Sequence, residues 1–182
     1  MDESKRRSFD LLTLGQVLLR LSPPDNDRLS RGDTFVKQVG GAELNVAVGA
    51  SLLGLRTGVI SKLPSHDIGS FMKGKIRSFG VSDDFFMYDD SPSARVGVYF
   101  YENGAYPRKP KVIYDRLNSS FFSLNIDEIP EEVYTASKCF HTTGITLALS
   151  PQIRETAIEM IKRFKEAGTL VSFDVNFRGN LW

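Results

Sequence analysis

Apolar residues recur along this chain with two different periods, and the points where the period changes divide it into elements. FDLLTLGQVLLRL, Phe9 to Leu21, predicts a buried strand, a break at Gly15 and a second extended stretch that runs to the turn residues SPPDND. DTFVKQV, residues 33–39, reads as another strand leading into Gly40 and Gly41. From Leu44 the positions Leu44, Ala47, Val48, Leu52 and Leu55 follow helical spacing, and Gly54 is placed to stop the helix. Because Val46, Ala50 and Leu53 are apolar as well, this helix is expected to be buried nearly all round, with Asn45 the polar exception.

Next come a strand TGVISKL, a helix DIGSFMKGKIRSFG ended by Gly80, and a strand VSDDFFMY with an acidic interruption. Two extended runs, Arg95 to Glu102 and Lys111 to Leu117, flank a polar loop that starts at Asn103 and Gly104, which predicts a β-hairpin with a long, proline-stiffened tip. It breaks the alternation, so it is expected to project from the main sheet and to form a small second layer with the early strands. Beyond it lie a short helix at Pro130 to Ser137 and a strand KCFHTTG. Ser150 and Pro151 then open a helix with a stripe of Ile153, Ala157, Met160, Ile161 and Phe164, stopped by Gly168, and TLVSFDV reads as a final buried strand. Strands alternating with helices imply an α/β fold whose mostly parallel sheet is covered on both faces, with ligands beyond the carboxyl ends of the strands. Three polar groups fall at such ends: Gly40 and Gly41 with Asn45, the HTTGIT turn, and DVNFRGN.

Composition narrows the partners. The 23 Lys and Arg against 22 Asp and Glu leave a net charge of +1, so no broad field attracts nucleic acid or an anionic membrane, and an anionic ligand must be met by a few placed cations. Cys139 is the one cysteine, which excludes an intrachain disulfide and points to a structural role, and His66 and His141 beside it give no zinc-type spacing. No apolar run approaches the ~20 residues of a membrane span, and MDESKRRSFDLLTLG has no secretory signal pattern, so a cytoplasmic location is expected.

Three sets of residues carry candidate chemistry. The glycine pair lets a ligand approach the backbone, and the Asn45 amide both donates and accepts, which suits a polyhydroxylated ligand; alternatively Asn45 is a local cap. It is not GxGxxG, so no dinucleotide site is indicated. On the hairpin, Tyr99 and Tyr114 lie on opposite strands, and Arg116 shares a face with Tyr114, giving either a grip on hydroxyl and carboxylate groups or plain cross-strand packing. Asp174, Asn176 and Arg178 alternate past the last strand, where Arg178 either meets a substrate carboxylate or pairs with Asp174.

GGAELNVAVGASLLGL followed by GVISKLPSHDIG resembles the amino-terminal signature of the ribokinase-like (PfkB) carbohydrate kinase family, nearly from Phe9 to Trp182. Within it, GQVLLRLSPP, KVIYDR, GITLALSP and DVNFRGNLW are similar to the 2-keto-3-deoxygluconate kinases. The resemblance implies the amino-terminal portion, 1–182, of a ribokinase-like three-layer α/β sandwich, with lid strands at about 16–39 and 94–118 inserted in it. It implies phosphoryl transfer from ATP, with Mg²⁺, to a sugar-acid hydroxyl, and a homodimer paired through the lid. Gly41 and Asn45 look like sugar-hydroxyl contacts, Tyr99, Tyr114 and Arg116 like lid residues on the substrate, Arg178 like the carboxylate clamp, and Asn176 like a further contact or a brace of the strand end. In most relatives the residue after Gly15 is acidic, whereas here it is Gln16. The family's GAGD segment, with its anion hole and catalytic aspartate, does not occur in these residues. The chain is therefore expected to carry the sugar-binding half without the ATP site or catalytic residues, and to show little or no kinase activity alone. Competing expectations are a kinase for 5-keto-2-deoxygluconate or fructose, and a non-catalytic sugar-acid binding module.

Overall fold

A computed structural model describes residues 7–182. In chain order its strands are β1 (Phe9–Leu14), β2 (Leu18–Ser22), β3 (Val36–Gly40), β4 (Thr57–Pro64), β5 (Val81–Ser82), β6 (Phe86–Asp89), β7 (Gly97–Glu102), β8 (Lys111–Asp115), β9 (Ser137–Thr143) and β10 (Leu170–Asp174). The α-helices are α1 (Ala42–Leu52), α2 (Asp67–Arg77), α3 (Val133–Ala136), α4 (Gly144–Leu147) and α5 (Pro151–Glu166). The main sheet runs β10-β9-β1-β4, with β5 and β6 both against β4, and each of these pairings is parallel. A smaller sheet runs β3-β2-β7-β8, antiparallel at its two outer pairings and parallel between β2 and β7.

Strand alternation sends side chains to opposite faces of the main sheet, and each face has its own core. Leu12, Leu14, Ile60 and Phe140 meet Ile153, Ala157, Met160 and Phe164 of α5, with the Phe140 and Phe164 rings stacked at 4.1 Å. On the other face Val59, Leu63 and Val81 meet Leu44 and Ala47 of α1 and Met72 and Ile76 of α2. β4, flanked on both sides, is buried at all its positions, as the apolar run TGVISKL implies. Capping chemistry sets the helix ends: the Ser150 hydroxyl accepts from the Ile153 N–H with Pro151 in the first turn, and Gly80 and Gly168 close α2 and α5 at positive φ.

Several expectations are corrected. VSDDFFMY is two short strands rather than one, because Asp83 turns inward between them and is held by Arg77 and Lys73 of α2. The helix expected at 130–137 shrinks to Val133–Ala136, Ser137 already opens β9, and α4 follows that strand where only a turn was expected. α1 is buried on one face only, with Leu52 76% and Leu53 85% exposed, since no described element packs on its outer side. β10 is not a buried strand. It pairs with β9 alone and leaves Leu170 70% exposed, because an edge strand has a neighbour on one side and α5 covers only one of its faces.

Candidate functional site

The smaller sheet lies across the carboxyl ends of β1 and β9, and its strand register decides which side chains face the gap. Arg20 on β2 pairs with Tyr99 on β7, which pairs with Tyr114 on β8. Two residues along in either direction stand Leu18, Tyr101, Val112 and Arg116, on the same face by the period of the strand. These side chains, with Gln16, Gly41, Ala42, Glu43, Asn45, Ile145 and Arg178 opposite or beside them, line one cavity of about 300 Å³. A second hollow of about 400 Å³ adjoins it and shares Tyr114, Arg116, Ile145 and Arg178. Tyr99 and Tyr114 lie with their rings 5.8 Å apart, and burial pushes the Tyr99 phenol above its ordinary value.

Gly41 caps α1 at φ 153°, and a Cβ there would come within 2.7 Å of the Gln16 carbonyl oxygen, so a bare backbone is required. No side chain caps the helix, which leaves the first-turn N–H groups at the cavity wall, and Asn45 is not the cap but an exposed lining residue one turn in. Beneath it Glu43, 2% exposed, accepts hydrogen bonds from the Thr143 and Thr146 hydroxyls at 2.7 Å each, tying α1 to the turn between β9 and α4. Arg116 donates from Nε to the Gln16 side-chain oxygen at 2.7 Å, and burial pushes its guanidinium below its ordinary value against the pull of Tyr114 and Glu43. Arg178 lies past β10, exposed, with one N–H to the Phe177 carbonyl.

Six of the residues singled out from the sequence, Gly41, Asn45, Tyr99, Tyr114, Arg116 and Arg178, thus border a single cavity. Asn176 does not. Its φ of 40° breaks the strand alternation, and its N–H donates to the Asp174 carboxylate at 2.9 Å in a turn, so the Asp174 carboxylate serves that turn and makes no ion pair with Arg178 among the described residues. Arg20 and Tyr101 were missed, although each sits two positions from a lining residue, Leu18 and Tyr99, and the period-2 rule points to both. Glu43 had no such signal, because its partners are about a hundred residues away. Cys139 is half-buried, and burial pushes its thiol up, away from reactivity. His141 bonds through Nδ1 to the Ser172 hydroxyl and is absent from the cavity lining.

Compared with known proteins, residues 8–182 match the family described as pfkB family carbohydrate kinase. A 2-dehydro-3-deoxygalactonokinase of Haloferax volcanii is 39% identical over 173 residues, 95% of this chain and 54% of its own. A 5-dehydro-2-deoxygluconokinase of Clostridium beijerinckii is 32% identical over 179 residues, 98% of this chain and 52% of its own. The crystal structure of a 2-dehydro-3-deoxygluconokinase from Thermotoga maritima superimposes with a TM-score of 0.90 at 35% identity, covering 96% of this chain and 53% of that one. The chain spans about half the length of the curated relatives it matches.

Proposed function

Because this chain belongs to the pfkB family of carbohydrate kinases, we propose that the whole protein transfers the γ-phosphoryl group of ATP to a hydroxyl of a sugar acid, with 2-keto-3-deoxygluconate the substrate. The observation that carries the reading is the convergence of three guanidinium groups, three tyrosines and the uncapped start of α1 on one small cavity. Arg116 and Arg178 meet the carboxylate in charge-assisted bonds, while Asn45 and the amides after Gly41 hold hydroxyl groups. Tyr99 and Tyr114 wall the sugar, and the smaller sheet acts as the lid that excludes water. Asn176 is assigned to the strand end rather than to the ligand. Two copies pair through their lids in the same reading, where Phe35 and Ile113 stand exposed.

Phosphoryl transfer rests on positioning and on stabilisation of charge, and ATP with Mg²⁺ supplies the transferred group and neutralises it when bound. Among the described residues no group of three or more His, Cys, Asp and Glu side chains could hold a metal ion, and the cavity's one carboxylate, Glu43, is engaged by two threonines. In the same reading residues 7–182 supply the acceptor-sugar site, and the nucleotide and catalytic base fall to the remaining length seen in the relatives. The 39% identity to the Haloferax volcanii relative favours a second reading, in which the acid is 2-dehydro-3-deoxygalactonate. A coupled assay of the full-length protein with ATP, Mg²⁺ and a panel of both acids, 5-keto-2-deoxygluconate and fructose tests these together. Turnover should be highest with a 2-keto-3-deoxy acid; equal or greater efficiency on fructose would overturn the sugar-acid reading.

A further inference from the structure

With Arg116 and Arg178 assigned to the carboxylate, the cavity holds a third guanidinium, that of Arg20. Arg20 stands half-buried on β2 and is held on two sides. Its Nε donates to the Ser22 hydroxyl at 2.9 Å, and its guanidinium carbon lies 4.6 Å from the centre of the Tyr101 ring. Among the described residues neither of its terminal nitrogens has a hydrogen-bond acceptor or a carboxylate partner. A planar fork stacked on a ring and pinned at Nε keeps its outer N–H groups in one direction, so it loses little freedom when an oxygen meets them. Its place is at the far end of the cavity from the other two cations. Arg116 and Arg178 also border the adjoining hollow, whereas Arg20 does not. On the lid Arg20 shares a row with Tyr99 and Tyr114, and Arg116 comes two residues after Tyr114, two strands away, which puts the two backbones on the order of 10 Å apart. A carboxylate held by Arg116 and Arg178 therefore lies at one end, with the two tyrosines between it and Arg20. A guanidinium only donates, so Arg20 takes acceptor oxygens, and these sit on the carbons remote from the carboxylate.

We propose that Arg20 is a specificity-determining residue that measures the length of the acid, its terminal N–H groups donating to hydroxyl oxygens at the end of the carbon chain opposite the carboxylate. The inference rests on the sugar-acid reading and adds to it the discrimination of six carbons from five. A shorter acid leaves these donors unpaired, and that loss carries the selectivity. In the full-length protein, titration calorimetry without nucleotide should show 2-keto-3-deoxygluconate binding at least tenfold more tightly than the 2-keto-3-deoxy acid of five carbons. Arg20→Met, which keeps an apolar stem against Tyr101, should weaken the six-carbon acid at least tenfold and the five-carbon acid less than threefold. Arg20→Lys keeps the charge without the fork and should stay closer to Arg20→Met than to the wild type. Ser22→Ala releases Nε but keeps the guanidinium, and should weaken the six-carbon acid alone, by a smaller factor. Melting temperatures report any loss of fold, and Ser22→Ala decides the question where Arg20→Met does not fold. A length preference absent from the wild type, or intact in these variants, would overturn the role of Arg20. So would full rescue by lysine, or an equal loss for both acids, which would put the carboxylate itself on Arg20. A wild-type protein that binds fructose as tightly as either acid would instead overturn the sugar-acid reading.

Discussion

At the scale of single residues, the cavity separates groups that hold the site from groups that face it. Glu43 holds. Replacing it by Ala leaves two buried threonine hydroxyls without their acceptor, so Glu43→Ala should lose about 2–4 kcal/mol of unfolding free energy in urea titrations, given that bonds to charged groups contribute about 1.5–3 kcal/mol each. Arg178 faces. Ligand at 100 times its dissociation constant stabilises by about 2.7 kcal/mol, which a melting curve resolves, and sugar acids should raise the melting temperature more than neutral sugars. Arg178→Ala should abolish that difference while leaving the unliganded melting temperature nearly unchanged, since its described hydrogen bond is to the neighbouring Phe177 carbonyl; an unchanged ranking of ligands would count against the clamp. Tyr114 and Arg116 were legible as a pair because a period of two puts them on one face, and the same rule points to Arg20 and Tyr101, which were missed. Glu43 was not legible, because a carboxylate in a first helical turn has many possible partners and only the packing of α1 on β9 selects Thr143 and Thr146.

At the scale of elements, stability concentrates where α5 packs on β9 and where α2 meets the turn between β5 and β6. Phe140 and Phe164 are fully buried and stacked, so Phe140→Ala should cost about 3–5 kcal/mol, read as a shift of the urea midpoint. Asp83 tells a pH story. Burial pushes its carboxyl up, but the Arg77 and Lys73 cations overcome that and hold it below its ordinary value. A carboxylate lowered in the folded state stabilises above the unfolded value of about 4 and loses that contribution as pH falls through the folded one. Stability measured from pH 6 down to pH 2 should therefore fall below about pH 4, and Asp83→Asn should be less stable at pH 6 with a shallower acid limb. An identical acid limb in the variant would remove Asp83 from the account. The acidic interruption in VSDDFFMY was visible in the letters; that it splits the strand follows only from the two cations waiting on α2.

At the scale of the whole molecule, two apolar surfaces besides the lid stand without cover among the described residues: the end of α1, with Leu52 and the following Leu53, and the free edge at β10, with Leu170, Phe173 and the following Val175. A twisted parallel sheet with an open edge is a template for pairing with another copy. The 182-residue chain should therefore self-associate at micromolar concentration, measured by sedimentation velocity, and Leu170→Lys with Leu53→Lys should shift it toward monomer without changing its circular dichroism. The cavity is itself a property of this scale, because it exists only where the smaller sheet and the ends of the main sheet meet.

What the letters alone determined is local: the order of most strands and helices, the glycines and caps that stop them, that Tyr114 and Arg116 share a face, and a resemblance strong enough to assign the family. These follow from backbone geometry and side-chain period, which act over a few residues. Which helix face is covered, that the last strand is an edge, and that one buried amide grips Arg116 were decided by contacts between elements apart in sequence, the last across a hundred residues, while a turn closed by Asp174 takes Asn176 away from the cavity. Periodicity fixes the direction of a side chain relative to its own element; what it meets there depends on how the elements pack.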